Sequence, residues 1–282
     1  MARPHIEPVT DASLDEFAQF LHENLSRDQS PAQWSQRFRT SWIDPQPNYG
    51  FVLRDEGRIV GGIGAIYAQR ILGGKEERFC NITSWCVLDA YRQQSMRLAM
   101  AVIGQPRFHY TDFSPTKVVA GTLQFFKFRA LDDRQAVLFN LPGIALSSRV
   151  LTERRAIEAA LQGEALRIYR DHADFPWLRH VLVGRPGDWC HVIYKPRRFK
   201  RLPAAGIIHL SDGAAFCRHF RRLAGHFLAR GMVTTHVECR RLPQLPWPSA
   251  VRSGFNPKMV LSTTLKDEDI DYLYSETVAL DL

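Results

Sequence analysis

The sequence contains few cysteines and no pattern that would join them into a scaffold. The five cysteines, which are odd in number and show no C-x-x-C spacing, are Cys80, Cys86, Cys190, Cys217 and Cys239. Such a set indicates neither a disulfide framework nor a zinc ribbon, and unpaired thiols are typical of a reducing compartment. The ten histidines show no H-x-x-x-H spacing, so we expect no metal site.

Long apolar runs are also absent. No run approaches the roughly 20 residues of a membrane span, and no apolar segment follows Arg3 as it would in a secretory signal peptide. We therefore expect a cytoplasmic protein with no membrane span. With 282 residues, the chain is long enough for one large domain or two smaller ones.

Acidic residues are too few to balance the basic ones. The chain has 37 Lys and Arg against 29 Asp and Glu, a net charge of +8, which attracts phosphorylated cofactors, nucleic acid and acidic lipid alike. The densest basic run, KPRRFKR at residues 195–201, interleaves charge with an aromatic ring and fits a nucleic-acid backbone. A solvated hairpin turn explains the same run, and we favour that interpretation over a nucleic-acid partner.

The apolar pattern predicts helices and strands in alternation through the first half of the chain. Ser13 with Glu16 and Ser30 with Gln33 have the spacing of a helix capping box, and an amphipathic helix follows each pair. The predicted elements after them are strands at residues 48–53, 58–66, 79–88, 108–113 and 135–141, and a helix at residues 94–103.

A similar order of elements follows in the second half. The predicted elements there are an opening strand at residues 165–169, a hairpin of residues 188–194 and 204–210, a helix at 213–230, and strands at 233–239 and 256–265. The repeated order indicates a duplicated fold, although no residue-level repeat accompanies it. We predict a first half at residues 1–142, a connector at 143–164 and a degenerate second half at 165–282.

Three segments of the first half resemble the GNAT superfamily of acyl-CoA N-acyltransferases. DEGRIVG at residues 55–61 is similar to the family's hairpin, VLDAYR at 87–92 to its central strand and turn, and LQFFKF at 123–128 to its last helix. The resemblance covers residues 1–141 and is fainter over 165–282. It implies an α/β fold in which helices flank a mixed, mostly antiparallel sheet.

The resemblance also implies acetyl-CoA or another acyl-CoA as co-substrate. In the family, two parallel strands splay apart beside the pantetheine arm, and the next helix presents N–H groups to the pyrophosphate. The residues implied for coenzyme A are Cys86, Val87 and Leu88 along the arm, and Arg92, Gln93, Gln94, Ser95, Met96 and Arg97 around the pyrophosphate.

Glycine is scarce in this pyrophosphate segment. The family follows its arginine with G-x-G-x-G/A, whereas this chain has QQSMR at residues 93–97. Either Arg97 and Ser95 supply side-chain donors in place of close backbone approach, or the site no longer holds coenzyme A. The first alternative is our working hypothesis.

Chemistry in this family needs a neutral amine, a donor for the developing oxyanion and an acid for the departing thiolate. The oxyanion donor would be a backbone N–H near Val87. Phe126 stands where the family has its acidic tyrosine, which leaves Tyr110, Asp112 and Ser114, at the end of a strand, as candidate catalytic residues. Core packing of Tyr110 and helix capping by Asp112 or Ser114 are the alternative interpretations.

The sequence thus predicts an acyltransferase that moves an acetyl or other acyl group from coenzyme A to an amine by direct attack. The acceptor is a small molecule or a protein, and its identity is open. A non-catalytic GNAT-like protein that binds a ligand or partner and a basic nucleic-acid-binding protein are the alternatives. The oligomeric state is also open, and a homodimer is compatible with the sequence.

Overall fold

A computed structural model gives the fold of the protein and describes residues 4–142 and 147–281. The strands are β1 (His5–Pro8), β2 (Gly50–Asp55), β3 (Arg58–Leu72), β4 (Lys75–Val87), β5 (His109–Asp112), β6 (Arg129–Ala130), β7 (Gln135–Phe139), β8 (Arg149–Leu151), β9 (Arg179–Arg185), β10 (Asp188–Phe199), β11 (Leu202–Leu210), β12 (Thr234–Glu238), β13 (Ser249–Arg252) and β14 (Met259–Leu261). The α-helices are α1 (Leu14–Asn24), α2 (Pro31–Phe38), α3 (Ser95–Ile103), α4 (Lys117–Phe125), α5 (Arg154–Ala160), α6 (Gly163–His172), α7 (Gly213–Leu228) and α8 (Glu276–Ala279).

The chain forms two compact units, and neither is continuous in sequence. Unit 1 runs to Leu131 and adds Asn256–Leu265 and the residues from Tyr274 onward, while unit 2 comprises Asp132–Phe255 and Lys266–Leu273. This division differs from the predicted boundaries at 142 and 165, because β7 and β8 pair within the sheet of unit 2 and β14 pairs within that of unit 1. The first four residues of the predicted connector, 143–146, lie outside the described residues.

Unit 1 is built on a seven-stranded sheet in the order β1-β2-β3-β4-β5-β14-β6. Its central strands β3 and β4 form a long hairpin, whose turn places Gly73 and Gly74 at φ of 57° and 79°, the left-handed conformation that such tight turns require. Neighbouring strands are antiparallel except β4 and β5, which are parallel.

The two faces of this sheet carry separate clusters of buried apolar side chains. Phe17 of α1 and Phe38 of α2 pack on one face with Ile66 of β3. Leu98 of α3 and Leu123 of α4 pack on the other face. The faces alternate along each strand because successive side chains point to opposite sides.

Unit 2 repeats this plan with the sheet order β13-β7-β12-β11-β10-β9-β8. It also has a long central hairpin, β10–β11, and one parallel pair, β11–β12, among otherwise antiparallel neighbours. The amphipathic helix α7 packs Phe216, Phe220 and Phe227 into its core. Two such sheets with flanking helices confirm the predicted mixed, mostly antiparallel α/β fold and fit its duplication.

One predicted element has the wrong type. Residues 165–169, predicted as a strand, belong to helix α6. Leu166 and Tyr169 recur at helical spacing and pack in one apolar cluster, and Glu164 pairs with Arg167 at 2.7 Å across one turn. The apolar residues of this short segment recur with the period of a helix, and the prediction of a strand did not take that period into account.

Candidate functional site

The parallel strands β4 and β5 separate soon after they begin to pair. Their pairing covers three positions and ends where Asn81 meets Thr111. Beyond Asn81, β4 continues to Val87 while paired with β3 on its other side. One edge of β4 is therefore open over its last six residues.

A β-bulge shapes β4 at this open edge. Ser84 and Trp85 together stand opposite the single residue Ile63 of β3. Ser84 has φ of 51°, a left-handed conformation that costs a non-glycine residue on the order of 1 kcal/mol or more. Bulges bend a strand and re-aim its side chains, and they are common beside functional sites.

The backbone of Val87 points toward the open edge. The N–H of Leu88 donates to the carbonyl oxygen of Val60 at 3.0 Å, so Leu88 faces β3. In an antiparallel ladder, hydrogen-bonding groups of adjacent residues alternate between the two sides of the strand. The N–H and C=O of Val87 therefore point away from β3.

A cleft of about 450 Å³ lies beside the bulge, within unit 1. Its walls are the bulge of β4, the segment from Asp112 to Val119, the α1–α2 connection with Trp34, and the end of the chain around Leu280. Thr116 caps α4 by accepting the N–H of Val119 at 3.3 Å. This cap fixes the chain that carries Asp112 and Ser114 past the cleft.

Two buried carboxyl groups meet at the end of β5. Asp112 lines the cleft, and Glu276 of α8 lies behind it, fully buried. Glu276 accepts the N–H of Phe113 at 2.8 Å and the hydroxyl of Ser114 at 3.2 Å, while Ser114 N–H donates to Asp112 at 3.1 Å. The backbone N–H of Glu276 donates to Asn81 at 2.7 Å. These bonds hold both carboxyls where the strands separate.

The environment of this pair favours protonation of one of its carboxyl groups. Burial raises the pKa of Glu276 to about 7, against the hydrogen bonds that lower it. Burial, and next the charge of Glu276, raise the pKa of Asp112 well above its usual range. One oxygen of Glu276, Oε2, has no hydrogen-bond partner among the described residues. Two such neighbours resist carrying two charges, so the pair can take up one proton near neutral pH.

No family model matches the chain, and no curated protein matches it in sequence. Solved structures match the chain in fold. A GCN5-related N-acetyltransferase from Anabaena variabilis, 11% identical, matches 92% of this chain and 72% of its own with a TM-score of 0.61. Another, from Kribbella flavida, 14% identical, matches 92% and 70% with a TM-score of 0.58. Eis1 from Mycobacterium abscessus, 13% identical, matches 92% and 73% with a TM-score of 0.51.

The chain has the fold of GCN5-related N-acetyltransferases. At these identities the likeness establishes the GNAT fold alone. The chemistry must therefore be argued from the residues of the cleft.

The cleft brings together two of the three predicted catalytic residues. Asp112 and Ser114 line it, and Ser114 bridges the two carboxyl groups. Tyr110 is 4% exposed and packs in the core, where its hydroxyl donates to the carbonyl oxygen of Gln105. Burial raises the pKa of Tyr110, which makes it a poorer proton source. The Tyr110 hydroxyl is thus occupied by a hydrogen bond within the core, which agrees with the alternative interpretation that Tyr110 packs there.

Sequence reasoning missed Glu276. It stands 162 residues from Ser114, and nothing in its spacing points to the first half of the chain. No local signal marks it, because Ser275, Thr277 and Asp281 make the end of the chain polar as well as apolar.

The residues predicted for the pantetheine arm lie at the end of β4. Cys86 and Val87 are its last residues, and Leu88 follows directly. The Cys86 thiol donates to the carbonyl oxygen of Asn24 at 3.5 Å. Their contacts with coenzyme A remain a prediction.

The segment predicted for the pyrophosphate forms a 3-10 turn, residues 89–94, and the start of α3. The N–H of Ser95 donates to the carbonyl of Arg92, and the Arg92 side chain pairs with Asp89 at 2.8 Å. Arg97 donates to the side chain of Gln94 at 2.7 Å, while Gln93 and Met96 are exposed. The charges suit a pyrophosphate, but the bonded Ser95 N–H is not free to cradle it.

In unit 2, α7 follows the central hairpin as α3 does in unit 1, and the N–H groups at its start are already bonded. In α7, Asp212 accepts the N–H groups of Ala214 and Ala215 at 2.7 and 2.9 Å. These are the groups that would face an anion at a helix N-terminus. The chain's own carboxylate takes that position.

The space beside the parallel pair of unit 2 is also filled. His209 bonds Asp271 at 2.9 Å, and the Tyr272 hydroxyl donates to Glu238 at 3.0 Å. The cavity left between these residues and β11 measures about 10 Å³. It can admit about one water molecule and no cofactor.

The basic run at residues 195–201 forms the tip of the β10–β11 hairpin. Lys200 and Arg201 make the turn, with φ of 47° and 70°. Of the 37 Lys and Arg residues 21 lie in unit 2, against 14 of the 29 Asp and Glu, so unit 2 carries +7 of the net +8. Residues 195–199 continue β10 and Lys195 is buried, so only part of the run is the solvated turn that the favoured interpretation expected. Nucleic-acid binding stays an alternative prediction.

Two absences hold for residues 4–142 and 147–281. No helix there has the length and apolar character to cross a membrane. No group of three or more His, Cys, Asp or Glu side chains there is arranged to hold a metal ion.

Proposed function

We propose that the protein is an acyl-CoA-dependent N-acyltransferase that works in the cleft of unit 1. The observation that carries this proposal is the buried Asp112–Glu276 pair beside the open edge of β4. A base of this kind is needed because an amine is mostly protonated near neutral pH and must lose a proton before it attacks. Acyl-CoA, when bound, supplies the activated acyl group.

The residues of the cleft fit the remaining steps. Asp112 accepts a proton from the acceptor's ammonium group, and the nearby charge of Glu276 favours the protonated form of Asp112. The outward-pointing N–H of Val87 stabilises the negative charge that develops on the attacked carbonyl oxygen. As the carbon–nitrogen bond forms, the carbon–sulfur bond of the thioester would break. The nitrogen that now holds the acyl group would lose its remaining extra proton, and that proton would neutralise the departing thiolate.

Arg92 and Arg97 supply the charge for the pyrophosphate. The Arg92–Asp89 pair is solvent-exposed, at 75% and 87% of the two side chains, and such pairs contribute only about 0–1 kcal/mol. Arg92 can therefore leave Asp89 at little cost and bind phosphate oxygens. Its planar fork suits that contact better than a backbone N–H that is already bonded.

Ligand-induced stabilisation tests this proposal. Titration with acetyl-CoA and longer acyl-CoAs should raise the free energy of unfolding by about 2.7 kcal/mol at 100 times the dissociation constant. The double variant Arg92→Gln/Arg97→Gln should lose most of the shift, whereas a variant at an exposed arginine that begins β3, Arg58→Gln, should keep it. Absence of a shift with every coenzyme A species would refute the proposal.

A non-catalytic ligand-binding protein is the second candidate. The bonded Ser95 N–H and the lack of a hydroxyl at Phe126 favour it. Release of free thiol from acyl-CoA in the presence of amines separates the candidates. An acyltransferase releases thiol and loses this release in Asp112→Asn while still binding acyl-CoA. A binding protein gives the thermal shift and no release.

A further inference from the structure

A single amide side chain lies at the point where β4 and β5 separate. Asn81 forms the last parallel pair with Thr111 and is only 1% exposed, between the fully buried Cys80 and Ile82 of the same strand. A buried polar group that is left without a hydrogen bond costs about 1–3 kcal/mol. The hydrogen-bond partners of Asn81 therefore show what this side chain fixes in place.

Asn81 joins three elements of unit 1. Its Nδ2 atom donates to Oγ1 of Thr111 at 3.0 Å and to the carbonyl oxygen of Thr111 at 3.3 Å, both on β5. Its Oδ1 atom accepts the backbone N–H of Glu276, in α8, at 2.7 Å. A carbonyl oxygen can only accept and a backbone N–H can only donate, so these partners fix the orientation of the amide.

Helix α8 is too short to fix Glu276 by itself. It spans four residues, and Glu276 is the first of them. A single helical turn is not stable alone, and the N–H groups at its start have no partner within the helix. Ser275 accepts the N–H of Thr277 at 3.2 Å, and Asn81 accepts that of Glu276. The sheet thus anchors α8 at the residue that carries the buried carboxyl group.

The anchored carboxyl group acts on the base from behind. Asp112 lines the cleft, whereas Glu276 is fully buried. Burial, and next the charge of Glu276, raise the pKa of Asp112. The energy between two charges falls with their separation. A displacement of α8 would therefore weaken Asp112 as a base.

We propose that Asn81 is a positioning residue for acyl transfer, whose amide fixes Glu276 behind Asp112 where the two strands separate. This inference rests on the proposed function and concerns the carboxyl pair, not the binding of acyl-CoA or of the acceptor. Asn81 acts through Glu276, because it is buried and takes no part in the lining of the cleft. Its loss should lower kcat and leave KM nearly unchanged.

Alanine substitution tests this role, with a second buried asparagine of unit 1 as the matched control. Asn48 is 8% exposed, and its Oδ1 atom accepts the Tyr67 hydroxyl at 2.7 Å and the N–H of Gly50 at 2.9 Å. Asn81→Ala and Asn48→Ala should both lower the free energy of unfolding by about 1–3 kcal/mol. Both variants should keep the thermal shift with acetyl-CoA.

Thiol release separates the two variants. The assay uses acetyl-CoA and whichever of glucosamine, spermidine and lysine gives the fastest release by the unaltered protein. Asn81→Ala should lower kcat at least about tenfold with KM within about twofold, and Asn48→Ala should keep both values. An equal loss of kcat in the two variants would show a merely structural role and overturn the inference.

A double-mutant cycle shows whether Asn81 acts through Glu276. Glu276→Gln alone is expected to lower kcat/KM about 100-fold. Adding Asn81→Ala should increase that loss by no more than about twofold, because the charge that Asn81 positions is already gone. Independent effects would multiply to a loss of about 1,000-fold or more, and that result would refute the coupling.

A milder variant serves if Asn81→Ala does not fold. Thr111→Val keeps the shape of the side chain and the carbonyl acceptor but removes the Oγ1 acceptor of the Asn81 amide. The loss of one such bond should lower kcat about two- to fivefold. A kcat equal to that of the unaltered protein would contradict the role of the amide.

Hydrogen exchange tests the anchoring without any reaction. Backbone bonds such as that from the N–H of Leu280 to the carbonyl oxygen of Glu276 should protect residues 274–281. Asn81→Ala should speed exchange there at least about tenfold, and Asn48→Ala should not. Unchanged exchange overturns the inference and leaves the acyltransferase intact. No thiol release and no acyl-CoA binding by the unaltered protein refute the acyltransferase, and the positioning role with it.

Discussion

Asp112 and Glu276 illustrate how a single proton can set the reactivity of a site. Each carboxyl alone would be ionised at neutral pH, and burial together at the end of β5 prevents both from being so. The raised pKa of Asp112, the member of the pair that lines the cleft, makes it a stronger base than an exposed aspartate.

Replacement of Glu276 tests this arrangement through the pH profile. In Glu276→Gln we expect kcat/KM to fall about 100-fold, the lower end for loss of acid–base assistance. We also expect its acidic limb to move to lower pH, because the charge of Glu276, which after burial is the second cause of the raised pKa of Asp112, is gone. Glu56→Gln, in the exposed β2–β3 turn, should leave the profile unchanged. An acidic limb at the same pH in Glu276→Gln and the unaltered protein would show that another group titrates.

Gly62 is required by close packing between β3 and α1. A Cβ atom there would stand 2.4 Å from Cε2 of Phe17, whose ring is fully buried and also contacts Phe38. Gly62→Ala should therefore lower the free energy of unfolding by about 1–3 kcal/mol in urea denaturation. Gly121→Ala, in α4 with no atom within 4 Å of the added Cβ, should raise it by up to about 1 kcal/mol. Equal effects of the two changes would argue against the clash.

At the scale of elements, two helix starts with the same sequence spacing behave differently. Ser30 has ψ of 160°, accepts the N–H of Gln33 at 3.3 Å, and receives the glutamine side chain on its own N–H at 2.8 Å. Ser13 has ψ of −3°, and its hydroxyl accepts the N–H of Thr10 at 3.0 Å instead of a helix N–H. The predicted capping box is thus formed at α2 and absent at α1.

Alanine substitution should expose this difference. Ser30→Ala is expected to lower the free energy of unfolding by about 1 kcal/mol, the usual cost of a lost N-cap. Ser13→Ala removes two exposed hydrogen bonds to Thr10, both outside the helix, and should cost less than half as much. Chemical denaturation of the two variants measures both values, and a larger loss for Ser13→Ala would contradict the assignment.

The elements also show how far the sequence predicts the fold. Local patterns predicted the hairpin β2–β3, the strand β4 and the capped helix α2, because glycine turns and apolar periods act over a few residues. The pairing of β14 with β5, Met259 opposite Asp112, has no local signature. Glu276 also belongs to the late part of the chain that comes back to unit 1. The sequence alone therefore could not pair it with Asp112.

At the scale of the whole molecule, the two units should respond to pH in opposite directions. In unit 2, burial lowers the pKa of His172 to about 3 and of His180 to about 4. Each is neutral when folded and must gain a proton from about pH 6.5 downward when unfolded, so stability is lost as pH falls. In unit 1, the raised pKa of Glu276, about 7, gives stability that is full below about pH 4.5 and lost as pH rises toward 7.

Unfolding followed across pH 4 to 7 checks the unit 2 part of this expectation. His180→Gln should flatten the decline in the free energy of unfolding between pH 6.5 and 4, because one group that gains a proton on unfolding is removed. His5→Gln, a histidine with 59% of its side chain exposed, should leave the slope unchanged. An unaltered slope in His180→Gln would show that His180 does not drive the acid sensitivity.

The strand β14 also sets the order in which the chain can fold during synthesis. A ribosome delivers residues 1–131 first, yet the sheet of unit 1 lacks the strand between β5 and β6 until residues 259–261 have emerged. The carboxyl pair likewise waits for residue 276. The nascent first unit must therefore remain incomplete, with β5 unpaired on one edge, while unit 2 is still being translated.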